Sequence, residues 1–541
     1  MLLADPDEHG ANLPPVGRSL FDELFEARPP AATRAEARYA LPYPFERLLR
    51  DLDERIAPAR TTTVLIPLGR SLQRYAADPD YFASPRVLVA IADDGGAPDR
   101  PLLRDRFYLG YHERAEVIEI ISYNEAAGRF EFQVVEDYGP GQTPRVEYGE
   151  RFVCVACHQA HGPIFSTALW SETSANPRVA ARLSGLGESF LGVPTRGGVD
   201  VADAIDRSAD RAARLAFTNA VWEDGCGAPD EPAAARCRGD LLLAALRYRL
   251  GGARGGLAAE DTASEALAER LAGHLAELAP AGLGAPSPDL PNRDPLAEIE
   301  AGFPAHEAIE PDGVFEPTLR RAPVLFWRSS EPPAALFADI VREIATAFAD
   351  TDVVWLDARL RALAPADAPE LLRERVGCQV RVVERDATGR ELRLSCADDS
   401  AHARATLFGH VRLAGDIPTG GLIESLALDG HALVSRLNVT GGSVRRDADS
   451  QVIELDLREA ALGLSPRLAS AERLAPLVVH LGANGTGEIE IAVIDDLAPL
   501  RSAVAGMVET AAADAGAALG SGPLRRRAVL AELTAALGAE Q

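Results

Sequence analysis

Residues 117–135 read VIEIISYNEAAGRFEFQVV: two apolar, β-prone runs, Val117 to Tyr123 and Phe130 to Val135, flank Asn124-Glu125-Ala126-Ala127-Gly128. A five-residue connection ending in Gly between two such runs is a hairpin signal. Upstream, Val64-Leu65-Ile66, Val87 to Ile91 and Phe107 to Tyr111 repeat the pattern, punctuated by Asp94-Gly95-Gly96-Ala97-Pro98. Residues 59–150 are therefore expected to form a mostly antiparallel β-rich domain, preceded by an irregular Pro- and Arg-rich lead with short helices over 1–58.

The character changes after this sheet. Asp200 is placed to cap a helix with Val201, Ile205, Ala212, Leu215 and Trp222 on one face, and further helices are expected over about 232–250 and 258–278. A helical segment is thus assigned to 151–280. The stretch from Gly282 to Pro291 breaks helical periodicity, and 281–330 reads as linker or irregular chain. Residues 331–375 read as helical. Over 376–496 strands return: Ile453, Leu455 and Leu457 alternate with Glu454, Asp456 and Arg458, and turn signals recur at 386–389, Asp429-Gly430, Gly441-Gly442 and Asn484-Gly485. That pattern predicts a sandwich-like or barrel-like C-terminal β domain, followed by helices over 497–541. The fold class expected is multidomain α+β.

The chain has 541 residues, a formal net charge of −26 and no lysine. Such a surface repels phosphate backbones, so no nucleic-acid partner is expected. The one dense basic run, Arg525-Arg526-Arg527, reads as the solvated face of a helix. No apolar window approaches the ~18 residues of a transmembrane helix.

Residues 151–166 read RFVCVACHQAHGPIFS. Cys154-Val155-Ala156-Cys157-His158 is the C-x-x-C-H spacing of covalent haem attachment: two thiols on one helical turn can add across two haem vinyl groups, and the adjacent imidazole can ligate the iron. The expected cofactor is one covalent haem c, held by Cys154 and Cys157 and ligated by His158. Electron transfer with a redox protein or a small redox molecule is the function this implies. Two other readings stand beside it. A haem whose sixth position is open would favour peroxidase-like chemistry. A non-haem structural or binding protein would use the same residues for a disulfide or, with His161, for zinc, although eight consecutive residues rarely wrap a tetrahedral ion. The sixth ligand is open: His112 precedes the motif on a strand, while Met507 falls on a helix with Leu497, Leu500 and Val504 at core-stripe spacing. HExxH, GxGxxG, G-x-S-x-G and Walker A signatures are missing, so an electron carrier is favoured over a catalyst.

The motif resembles an uncharacterised bacterial family of cytochrome c domain-containing proteins, through Cys154 to Phe165, Leu169-Trp170-Ser171-Glu172-Thr173, Asn176-Pro177 and the upstream Ile121-Ser122-Tyr123-Asn124-Glu125. It covers about the first half of the chain and implies haem and electron transfer. Covalent haem attachment implies a periplasmic or other extracytoplasmic location. The first residues carry no basic n-region or apolar h-region, so this reading places an export signal upstream of Met1. In an oxidising compartment the four remaining cysteines are expected to pair as Cys226 with Cys237 and Cys378 with Cys396. For the second pair, a turn at 386–389 sets the two residues across from one another.

Overall fold

The computed structural model describes residues 1, 3, 16–27, 38–57, 61–69, 74–77, 79–91, 100–166, 171–196, 208–228, 231–251, 262–290, 294–297, 320–349, 351–352, 355–356, 359–360, 371–384, 389–400, 403–414, 417–428, 431–434, 436–446, 450–461, 477–482, 486–494 and 498–539. The chain is α+β, and it divides into two compact units. One comprises Met1–Pro229, Ala268–Leu336 and Ser521–Arg527; the other comprises Asp230–Leu267, Phe337–Gly520 and Ala528–Gln541.

In the first unit, α1 (Leu20–Phe25) and α2 (Phe45–Ile56) precede a six-stranded antiparallel meander in sequence order: β1 (Thr61–Ile66), β2 (Arg86–Ile91), β3 (Phe107–His112), β4 (Val117–Asn124), β5 (Arg129–Glu136) and β6 (Arg145–Tyr148). The expected hairpin joins β4 to β5. Asn124 Oδ1 accepts from the Ala126 and Ala127 N–H groups, and Gly128 takes a φ of 64°, which a side chain would resist. Successive side chains alternate across a strand, so each strand serves two environments. On one face Phe107 stacks on Phe21 and Tyr111 stacks on Phe45, joining the sheet to both leading helices. These rings and their aliphatic neighbours, including Leu20, Leu48, Val87, Leu109 and Ile118, are almost fully buried and form the core.

The opposite face carries Leu88, Tyr108, Gly110, Glu119, Ile121 and Phe132, brought into line by the pairings Gly110 with Leu88 and Glu119, and Ile121 with Tyr108 and Phe132. Next in chain order come α3 (Arg151–Cys157), β7 (Phe165–Ser166), α4 (Pro177–Leu183), the ribbon β8 (Ser189–Phe190) with β9 (Val193–Pro194), and α5 (Ser208–Glu223). Asn176 caps α4 through its side chain, with Pro177 at the first helical position. On α5, Ala212, Leu215 and Trp222 are buried as the periodicity predicts, whereas Asp200 to Ile205 lie outside the described residues.

Helices α6 (Pro232–Gly251) and α7 (Thr262–Leu278) follow the predicted spans closely. Within 281–330, β10 (Leu283–Pro286) pairs with β12 (Pro323–Trp327), and β11 (Asp289–Leu290) lies parallel to β7. In the Arg525–Arg527 run only Arg525 is exposed as the solvated reading expects; the other two depart from it. Arg526 is buried and donates to the Arg100 carbonyl, while Arg527 donates to Glu23 and Glu125. Two carboxylates converging on one guanidinium hold Arg527 half-buried.

In the second unit, α8 (Pro333–Ala345) begins near the boundary and is followed by an antiparallel sheet. The helical reading of 331–375 fails at its end, because Leu371 to Arg375 open β13 (Leu371–Glu384). These are good helix formers, but pairing of Leu371–Gln379 with the last strand overrides their propensity. The sheet continues with β14 (Gly389–Ser400), β15 (Ala403–Ala414), β16 (Ile417–Leu428), the short β17 (His431–Val434), β18 (Arg436–Arg446), β19 (Ser450–Ala461), β20 (Leu477–Gly482) and β21 (Thr486–Ile494). Each neighbour is antiparallel. β16 pairs with β18, and β21 returns to pair with β13, so eight strands close a ring and β17 pairs beside β16. A closed ring leaves no long unpaired edge. Cys378 stands directly opposite Cys396 in the β13–β14 register, as the turn position predicts. Helices α9 (Ala498–Leu519) and α10 (Arg526–Ala539) end the chain as expected. Among the described residues no helix is long and apolar enough to cross a membrane.

Candidate haem-attachment cleft

Helix α3 is fastened at both ends. At its start Arg151 is buried, donates to the Phe130 carbonyl at 2.8 Å and stacks its guanidinium 5.5 Å from the Phe132 ring centre. At its end Arg321 donates to the Cys157 carbonyl at 2.7 Å and to the Ser287 carbonyl, while its backbone N–H donates to Gln159 Oε1. A cation at a helix C-terminus satisfies a carbonyl that has no partner within the helix and complements the helix dipole. The motif is therefore held rigidly against the polar-decorated face of the sheet.

Cys154 and Cys157 sit three residues apart on this helix and are both free thiols. Burial raises each to a pKa of about 11; Glu119 raises Cys154 further, while Arg321 partly opposes the effect at Cys157. Both thiols are therefore protonated at neutral pH. His158 caps the helix, its N–H donating to the Cys154 carbonyl at 2.9 Å. The chain then turns sharply: the His161 N–H donates to the His158 carbonyl, and His161 takes a φ of 56°. That turn brings the Gly162 carbonyl within 2.7 Å of His158 Nδ1. The bond assigns the imidazole proton to Nδ1 and leaves the Nε2 lone pair available, the arrangement seen in metal-ligating histidines. Burial also lowers the His158 pKa to about 4, so the ring is neutral and able to ligate.

Cys154, Cys157 and His158 line one cleft of about 1260 Å³, counting its open mouth. The sheet forms the facing wall through Leu88, Tyr108, Ile121, Phe132 and Val134, and Ile164, Phe165 and Leu290 add apolar surface. The Phe132 and His158 rings lie 5.3 Å apart, and Tyr108 packs 5.9 Å from Phe165. Two polar features break the apolar lining. Glu172 is buried, and Arg86 pairs with Glu119 at 2.6 Å on the sheet wall. Gly110 lies beneath that pair, and a Cβ there would collide with the Arg86 guanidinium.

The donor set fits a covalently bound haem: two thiols on one turn, a neutral imidazole with one nitrogen already committed, and a broad apolar cleft reaching all three. Among the described residues no group of three His, Cys, Asp or Glu side chains is positioned to hold a metal ion. Of the two candidate sixth ligands, His112 shares the sheet face of Gly110 but does not line the cleft. It is buried, its Nδ1 has no hydrogen-bond partner, and burial lowers its pKa to about 4. Met507 lies on α9 in the other unit and does not line the cleft. Cys226 and Cys237 form the predicted disulfide. The side chains of Cys378 and Cys396 lie outside the described residues.

No protein-family model, curated protein or solved structure matches the chain.

Sequence reading missed Arg86, Glu119, Gly110 and Arg321. The available signal was Gly110 itself: a glycine inside the aromatic strand Phe107–His112 marks close approach by another group.

Proposed function

We propose that this protein carries one covalent haem c, attached through Cys154 and Cys157 and ligated by His158, and that it works in electron transfer. The observation that carries this reading is the His158 Nδ1 bond to Gly162 within the cleft shared with both thiols. A bare C-x-x-C pair would not require the next residue to be a neutral, oriented imidazole. The haem would supply the one-electron couple, and the protein's part is to hold it and control water access. Arg151 and Arg321 fix the helix, Gly162 fixes the ligand, and the sheet supplies an apolar wall.

Helix α3 also keeps one side in solvent, where Phe152 is 47% exposed and Ala156 is exposed. A group attached to its other side lies on the order of 10 Å, one helix diameter, from the surface. That distance suits electron exchange with a redox protein or small redox molecule. Covalent attachment and the Cys226–Cys237 disulfide together favour an extracytoplasmic setting.

The test is a pyridine haemochrome measurement on protein produced with c-type maturation machinery. Wild type should retain haem through denaturation and acid-acetone extraction. Cys154→Ala with Cys157→Ala should lose it, and His158→Ala should change the iron spectrum. Colourless wild type containing stoichiometric zinc would establish the metal-site reading instead.

A further inference from the structure

The cleft has two chemically different walls. Cys154, Cys157 and His158 stand on the helical side, and an arginine–glutamate pair stands on the sheet side, in otherwise apolar surroundings. Structural need alone accounts poorly for this pair. It sits on the sheet face of the cleft among neighbours such as Leu88 and Ile121, with Arg86 opening its strand, and it requires a glycine beneath it. A glycine inside a strand lacks packing and costs backbone entropy. The Arg86 guanidinium is engaged by Glu119 through Nη2, while its Nε is buried and makes no hydrogen bond. Both residues line the same cleft as Cys154, Cys157 and His158, so the pair faces the attachment residues across one space.

A half-buried guanidinium donor beside a carboxylate acceptor matches one kind of small molecule: a weak acid H–X that binds as its anion. We propose that Arg86 and Glu119 form a binding site for small weakly acidic ligands of the haem iron, the class that includes hydrogen cyanide, hydrogen fluoride and hydrogen peroxide. On binding, the H–X bond breaks, the proton passes to the Glu119 carboxylate, and X⁻ is held by the Arg86 guanidinium. Protons and charge balance without a further reactant. Gly110 positions the pair by letting Arg86 lie flat on β3. Among the described residues the sheet wall of the lining supplies neither histidine nor methionine, which leaves this face of the cleft to an incoming ligand.

This inference rests on the haem reading, and the experiment separates the two. Haem content is measured first by pyridine haemochrome, and the ferric protein is then titrated with cyanide and fluoride by absorption spectroscopy. Wild type should be high-spin and bind both. Arg86→Leu should keep full haem content yet bind fluoride ~10- to 100-fold more weakly, the scale of one lost charge-assisted hydrogen bond. Glu119→Gln should slow cyanide association by ~100-fold or more around neutral pH, because the proton acceptor is gone. Gly110→Ala, which displaces Arg86 without removing it, should weaken fluoride binding in the same direction. Absence of haem would defeat both readings. Full haem content with unchanged anion binding in Arg86→Leu and Glu119→Gln would overturn this one alone. So would a low-spin wild type that binds anions only after His112→Ala, since His112 would then be the internal ligand.

Discussion

Two cysteine pairs in this chain have opposite fates. Cys226 and Cys237 are joined in a disulfide, whereas Cys154 and Cys157 remain separate thiols although only two residues stand between them. Sequence proximity does not make a bridge. Two side chains on one α-helical turn project along similar directions from a rigid backbone, and a disulfide needs Cβ atoms about 3.8 Å apart with a specific dihedral. The helix of the second pair is tied by Arg151 at one end and Arg321 at the other. The comparison teaches that the fold holds these two thiols apart while presenting both to one cleft.

Removing each pair in turn separates their roles. Cys154→Ala with Cys157→Ala should abolish covalently retained haem while leaving the Cys226–Cys237 disulfide intact by peptide mapping. Cys226→Ala with Cys237→Ala should do the reverse: haem retention persists, and unfolding free energy falls by about 3 kcal/mol, the chain-entropy scale for a short loop. Chemical denaturation of both variants checks the pair of outcomes.

A finer distinction is kinetic. In haem-free protein Cys154 and Cys157 should alkylate ~100-fold more slowly at pH 8 than an exposed cysteine, because a pKa near 11 leaves little thiolate. Iodoacetamide labelling followed by mass spectrometry reads the rate. Acceleration as pH rises from 8 toward 11 is the expected sign, and a rate already at its plateau by pH 8 would show that burial does not control these thiols.

The smallest effect concerns His112, whose folded pKa of about 4 lies below the ordinary histidine value of 6.5 because the ring is buried. Its unfolded form therefore binds a proton that the folded form excludes. The stability contributed by keeping this ring neutral is fully present above about pH 6.5 and is lost as pH falls toward 4. Relative to His112→Leu, wild type should lose melting temperature progressively over that interval. A difference that stays constant with pH would place His112 in a solvated environment.

The parts legible in the sequence were those set by local pattern. The Asn124 to Gly128 hairpin and the β13–β14 register opposing Cys378 and Cys396 follow from strand alternation and turn residues close in the chain. The spacing of Cys154, Cys157 and His158 likewise announced the candidate site. The remainder depended on contacts remote in sequence. Arg86 and Glu119 meet only because two strand pairings flank Gly110, Arg321 reaches α3 from far along the chain, and Arg527 is held by Glu23 and Glu125. Leu371 to Arg375 were misread for the same reason, since a partner strand more than a hundred residues away fixes them as β-structure.

Cysteine accounting on one preparation decides whether haem is covalently attached. Protein from a maturation-competent host is unfolded and alkylated with one reagent, then reduced and alkylated with a second, and the peptides are mapped. The account predicts that Cys154 and Cys157 take neither label and carry one haem on their shared peptide. Cys226 and Cys237 should take only the second label, and Cys378 and Cys396 should do the same if their facing register is bridged. First-reagent label on both Cys154 and Cys157, with no haem on the peptide, would contradict the account.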